Sequence, residues 1–124
     1  MKVKDIMKQA HVVDKDISFG EAAKIMSSSN IGSLIVVAEK KMIGIVTASD
    51  ILECFGKEGN VSGIMKQKIV TVESKEDIDV ALELMKKNKI KHLPVVDEGN
   101  LAGIIAMTDI AEHADELEGE FLVS

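Results

Sequence analysis

The chain has 124 residues, 46% of them hydrophobic, with 15 Lys, no Arg, 21 Asp plus Glu, one Cys and a formal net charge of −6. That length suits about one domain, and the longest uninterrupted apolar run, Leu34 to Ala38, is far short of the roughly 20 residues a membrane-spanning helix needs. The lone Cys54 and three scattered histidines, His11, His92 and His113, exclude an internal disulfide framework and a zinc cluster, and dispersed negative charge argues against a general affinity for nucleic-acid backbones.

The opening MKVKDIMK mixes charges into its apolar residues and lacks the h-region of a signal peptide, which points to a cytoplasmic location. After it, Val12 and Val13 suit a short strand. Phe19, Ala22, Ala23 and Met26 then follow the i, i+3, i+4, i+7 spacing of an amphipathic helix. Ser18-Phe-Gly-Glu21 opens it with a capping box, hydroxyl and carboxylate each meeting a free amide of the first turn. Ser33-Leu-Ile-Val-Val-Ala38 and Met42-Ile-Gly-Ile-Val-Thr47, joined by polar Glu39-Lys-Lys41, predict two strands and a tight connection. A short helix from about Ser49 to Phe55 follows, and Gly56, Gly59 and Asn60 mark a helix stop and a turn.

The same order then recurs. Residues 13–52 shifted by 59 positions onto 72–111 give 12 identities in 40, and the lead-in VKDIMKQ at 3–9 matches VSGIMKQ at 61–67 in five of seven positions. The second copy predicts a strand over 69–72, a helical stripe at Ile78, Ala81, Leu82 and Met85, strands over 92–96 and 101–106 around a turn at 97–100, and a helix over about 108–117. Such an internal repeat organises the whole fold. Each copy buries little surface alone, so the pattern predicts a mixed α/β (α+β) molecule of two tandem β-α-β-β-α repeats, 1–58 and 59–124, related by a pseudo-twofold axis and sharing one core. Pro94 cannot donate to a ladder, which predicts a strand edge or strand start there. The seven Met read mainly as pliable core filler, and the acidic stretch from Glu112 to Glu120 as a solvated helix face.

No nucleophile elbow, phosphate loop or zinc-protease motif is present, so the chain reads as a non-enzyme without a metal. Chemistry concentrates where the third strand of each copy ends: Gly44-Ile-Val-Thr47-Ala-Ser49-Asp50 and Gly103-Ile-Ile-Ala106-Met-Thr108-Asp109. Free amides and hydroxyls at a helix start suit a small anion, while a carboxylate can accept hydrogen bonds from a vicinal diol such as ribose. Ser, Thr and Asp are also the ordinary helix-capping residues, and one residue can fill both roles.

VKDIM in the lead-in, Ala-x-x-x-Met on the helix, Lys91-His-Leu-Pro-Val-Val-Asp97 on the second strand and Gly-Ile-Val-Thr-x-x-Asp at the third strand's end together resemble the CBS domain. The resemblance covers about residues 1–115, and the doubling is similar to a CBS pair, or Bateman module, here standing alone. It implies two clefts between the repeats, each taking an adenosine-type ligand such as AMP, ADP, ATP or S-adenosylmethionine, and assembly of two chains into a disc-like homodimer that regulates an unidentified partner protein. By position, Asp50 and Asp109 would hold ribose hydroxyls. The Asp109 site would borrow from residues 5–11 and from Ile31, Gly32 and Ser33, and the Asp50 site from residues 63–70 and from Ile90, Lys91 and His92, with Ile45 and Ile104 on the third strands. Thr47 and Ser49 both match the family pattern, whereas Ala106 leaves Thr108 as the one hydroxyl in the second copy. Lys91 and His92 could also meet phosphate, so the Asp50 site is expected to be the better phosphate site. Without Arg there is no bidentate phosphate clamp, which argues against tight triphosphate binding. The alternative is a homodimeric interaction or scaffold protein with vestigial clefts.

Overall fold

The computed structural model describes residues 1–116. The chain forms two compact units, and they do not coincide with the two sequence repeats. One is His11–Ile69; the other joins Met1–Ala10 to the chain from Val70 onward.

In the first unit, β1 (Val12–Asp14), α2 (Phe19–Ser29), β2 (Ser33–Ala38), β3 (Lys41–Thr47) and α3 (Ala48–Glu53) follow in order, then a single 3₁₀ turn, η1 (Val61–Gly63). β1 pairs parallel to β2, and β2 antiparallel to β3. The capping box holds: the Ser18 hydroxyl accepts from the Glu21 amide at 3.1 Å, and Glu21 accepts from the Ser18 amide at 3.1 Å. Ala22 and Met26 on the predicted stripe pack with Val13, Leu34, Val36, Val46 and Val61.

The second unit repeats this with α1 (Val3–Ile6), β4 (Val72–Glu73), α4 (Ile78–Asn88), β5 (His92–Asp97), β6 (Asn100–Ala106) and α5 (Met107–Glu112). Ile78, Ala81 and Met85 pack with Val3, Ile6, Val72, Leu93, Val95, Ile105 and Ile110. The copies agree in detail: the ladder slips between Val36 and Val37 in one sheet and between Val95 and Val96 in the other. The expected helix to Leu117, and the acidic stretch past Glu116, extend beyond the described residues.

Two clusters of buried apolar residues stand out, one in each unit, and the lead-ins are exchanged between the copies to build them. Residues 1–10 precede the first copy but pack on the second, where the Val3 amide donates to Glu76 O at 2.8 Å, Lys4 to Ser74 O at 3.0 Å and Ile78 to Met1 O at 3.0 Å. The equivalent bonds tie the second lead-in to the first copy: Val61 to Ile17 O at 2.9 Å, Ser62 to Lys15 O at 3.2 Å and Phe19 to Gly59 O at 3.0 Å. Each exchange adds apolar residues to the receiving unit's cluster, Val3 and Ile6 in one and Val61 in the other.

The expectation for Pro94 needs correction, since it lies on β5, the middle strand of its sheet. In the first unit the equivalent Ile35 donates to His11 O at 2.9 Å. Proline has no such proton, and β4 is accordingly cut to Val72–Glu73 where β1 runs Val12–Asp14. The strand expected over 69–72 needs correction too, because it begins only at Val72.

Candidate functional site

The two Asp-bearing strand ends are built by the same hydrogen bonds. β3 ends at Thr47, and α3 begins with an Asp50 carboxylate folded back so that Oδ2 accepts from the Thr47 amide at 2.9 Å and from the Thr47 hydroxyl at 3.0 Å. The Asp50 amide donates to Thr47 Oγ1 at 3.4 Å, and the Ser49 hydroxyl lies 3.1 Å from the same oxygen. β6 ends at Ala106, and Asp109 Oδ2 accepts from its amide at 2.7 Å. Alanine has no hydroxyl, so this second end lacks the Thr47 part of the network.

In each case the second carboxylate oxygen faces a lysine of the exchanged lead-in. Lys8 Nζ lies 3.1 Å from Asp109 Oδ1, and Lys66 Nζ 3.7 Å from Asp50 Oδ1. These lysines occupy matching places in the two lead-ins, within the expected ranges 5–11 and 63–70, though neither was singled out there. Their backbones explain the placement. Lys8 and Ile104 exchange two amide bonds at 2.9 and 2.8 Å, and Lys66 and Ile45 exchange two at 2.9 and 3.1 Å. Ile45 and Ile104 thus act as the rungs that hang a lead-in lysine over its acid.

Glycine makes room for this crossing. A Cβ on Gly103 would lie 2.7 Å from Lys8 O, and one on Gly44 2.5 to 2.9 Å from side-chain atoms of Met65. The acids are well enclosed and the lysines are not: side-chain exposure is 6% for Asp109 and 11% for Asp50, against 58% for Lys8 and 67% for Lys66. The two ends also differ in charge. Lys8 lies 3.2 Å from a second carboxylate, Glu112; the matching Glu53 makes no ion pair with Lys66 among the described residues. Acidic partners hold the Lys8 ammonium above its ordinary range, the Asp109 hydrogen bond first and Glu112 next.

The remaining expected residues divide between the units. In the first, Gly32 and Ser33 adjoin the Asp50 end: the Ala48 amide donates to Gly32 O at 2.9 Å, and Ser33 stands opposite Thr47 in the ladder. Ile31, which precedes them, packs on the core of that unit. In the second, Lys91 and His92 hold the same places beside Asp109, with the Met107 amide on Lys91 O at 2.9 Å and His92 opposite Ala106. Ile90 packs on that core. Thr108, like Ser49, is exposed. Burial holds the His92 imidazole below its ordinary range, against the pull of Asp109 and with the help of Lys91. Among the described residues no three His, Cys, Asp or Glu side chains gather as a metal site requires, and no helix is long and apolar enough to cross a membrane.

The geometry also limits the anion reading. Of the amides at the start of α3, that of Ala48 is engaged with Gly32 O and that of Asp50 with Thr47 Oγ1. Both helices have only six residues, so little of the backbone dipole is left to attract a phosphate.

The profile of the CBS domain family matches residues 3–57 and again 61–116. The CBS domain-containing protein YhcV of Bacillus subtilis is 34% identical over 115 residues, covering 88% of this chain and 82% of that protein. The inosine-5′-monophosphate dehydrogenase of Thermoplasma acidophilum is 37% identical over 106 residues, which is 85% of this chain and 22% of the enzyme. The chain spans about a quarter of the length of such dehydrogenases. Among solved structures, the CBS domain pair of protein MJ0100 in complex with 5′-methylthioadenosine and S-adenosyl-L-methionine superposes with a TM-score of 0.84 at 32% identity, covering 94% of this chain and 97% of that one. A hexameric CBS-CP12 protein from bloom-forming cyanobacteria gives a TM-score of 0.85 at 27% identity, covering 95% of this chain and 74% of that one. With the doubled strand-end acid, the exchanged lead-ins and a family match to both repeats, the chain belongs to the CBS domain family, as a tandem pair.

Proposed function

We infer that this chain is a non-enzymatic regulatory module that binds an adenosine-type ligand, with a ribose on Asp50 or Asp109. One observation carries the reading. Each acid spends Oδ2 on its helix cap and turns Oδ1 toward an exposed lysine, whose end of the ion pair is screened by water and salt. A ribose diol can therefore take Oδ1 without dismantling the cap. The likeness to a CBS pair solved with 5′-methylthioadenosine and S-adenosylmethionine supports the ligand class, and AMP, ADP and ATP belong to the same panel.

A thermal-shift series with these five compounds tests it, since a ligand at 100 times its Kd stabilises the folded state by about 2.7 kcal/mol. At least one compound raises Tm in the wild type, and the shift shrinks in Asp50→Asn, which keeps an acceptor for the Thr47 amide but loses the charge. A flat panel rejects the reading.

A second reading has its own observation. Leu52 on α3 and Phe55 in the turn after it are 74% and 92% exposed, while the matching positions of the second copy are Ala111 and Ala114. An apolar pair of this size suits association with another copy of the chain. Light scattering after gel filtration would then give a mass of at least two chains, and Leu52→Ser with Phe55→Ser would lower it.

A further inference from the structure

We propose that Lys66 selects the ligand of the Asp50 end, admitting a nucleoside that carries an anion on its 5′ carbon over a neutral one. The inference rests on the reading that Asp50 receives a ribose.

A diol arriving at Asp50 Oδ1 meets an oxygen already facing Lys66 Nζ at 3.7 Å. Hydroxyl protons and an ammonium compete for the same lone pairs, so every ligand must displace or share the lysine. A neutral nucleoside gives the displaced ammonium nothing in exchange. A nucleotide gives it a phosphate, and a charge-assisted hydrogen bond to an anion is roughly twice as strong as a neutral one. Beside Asp50 the exposed Ser49 hydroxyl offers a neutral donor but no charge. The Ala48 and Asp50 amides are engaged, the chain has no Arg, and Lys66 is the one cation within ion-pair reach of Asp50 among the described residues. Lys66 is two-thirds exposed on a flexible stem while its backbone is pinned to Ile45, so the ammonium can swing without moving the lead-in.

The Asp109 end is built from the same parts with the opposite bias. Lys8 sits 3.1 Å from Asp109 and 3.2 Å from Glu112, so the local sum is one cation against two carboxylates. Releasing Lys8 from Asp109 leaves it on Glu112, and an incoming phosphate meets that second negative charge. Selection for an anion thus belongs to Lys66 and not to its repeat partner.

Isothermal titration of the full chain with adenosine and with AMP, at one low ionic strength, tests this in wild type, Lys66→Met, Lys66→Arg and Lys8→Met. Wild type binds AMP more tightly than adenosine. Lys66→Met weakens AMP by about tenfold, the worth of one charge-assisted bond, and leaves adenosine unchanged or tighter; Lys66→Arg keeps the AMP preference. Lys8→Met moves the AMP-to-adenosine ratio by less than about threefold, because Glu112 already repels the anion. An unchanged ratio in Lys66→Met, equal losses for both ligands, or a shift in Lys8→Met as large as in Lys66→Met overturns the inference while leaving the ribose reading intact. Wild-type protein that binds neither compound overturns both.

Discussion

Gly103 shows how closely one residue can tie the fold to the site. Its missing side chain lets Lys8 cross β6, and the obstacle a Cβ would meet is a backbone carbonyl at 2.7 Å, which cannot rotate away. Gly103→Ala should therefore cost about 1–3 kcal/mol, the usual range for overpacking, and the loss is read from a urea midpoint. Gly44→Ala should cost less, since what its Cβ meets is the pliable Met65 side chain. Gly63→Ala is the control: nothing lies within 4 Å, its repeat partner is Asp5, and the change should fall within about 0.5 kcal/mol of wild type. His92 carries a second prediction at this scale. Burial holds its pKa down in the folded state, so as pH falls below about 6.5 the unfolded chain takes up the proton first. The contribution is complete above that pH and is lost as pH drops through the folded pKa. Stability measured from pH 7 to 5 should decline, and His92→Gln should flatten that part of the curve; an identical slope in both proteins would remove His92 as the cause.

At the scale of elements, the helices and the paired strands of each copy were legible because their signals are local. The stripes at Phe19 to Met26 and Ile78 to Met85, the Ser18 capping box and the polar turns all depend on neighbours a few residues away. The exchange of lead-ins is not written in the residues themselves, since VKDIMKQ and VSGIMKQ look alike; the resemblance to the CBS domain is what set residues 5–11 with Asp109 and 63–70 with Asp50. It did not single out Lys8 and Lys66, which reach those acids through the β-bridges of their backbones to Ile104 and Ile45. The acids themselves were legible, being marked by a repeated motif. Capping was the other role the motif offered these residues, and Oδ2 of each acid is committed to it. The two hairpin turns offer a test of how well the copies correspond. Glu39 and Lys40 both have positive φ, 51° and 66°, whereas the second copy places Gly99 at φ 84° after Glu98 at 51°. A left-handed conformation costs a side-chain-bearing residue roughly 1–2 kcal/mol, partly offset by the greater freedom of Gly in the unfolded chain. Lys40→Gly should thus raise stability by about 0.5–1 kcal/mol, seen as a higher denaturant midpoint at unchanged m-value.

For the whole molecule, two closely matched units carry acids of different electrostatic setting, neutral in sum around Asp50 and Lys66 and negative around Asp109, Glu112 and Lys8. Repetition made both ends; Ala106 in the place of Thr47, and the ion pair that Glu112 but not the equivalent Glu53 makes with its lysine among the described residues, made them unequal. On the proposed function, a ligand acts as a regulator only through its differential affinity for two arrangements of the protein. Everything therefore depends on whether a ribose diol contacts the acid. Titration of adenosine against 2′,3′-dideoxyadenosine measures that contact directly, because the two differ only in the hydroxyls that would meet Oδ1. Wild-type protein should prefer adenosine by about tenfold or more, as expected for hydrogen bonds to a charged acceptor, and Asp50→Asn with Asp109→Asn should lose most of that preference. Equal affinity of the wild type for the two nucleosides would contradict the account.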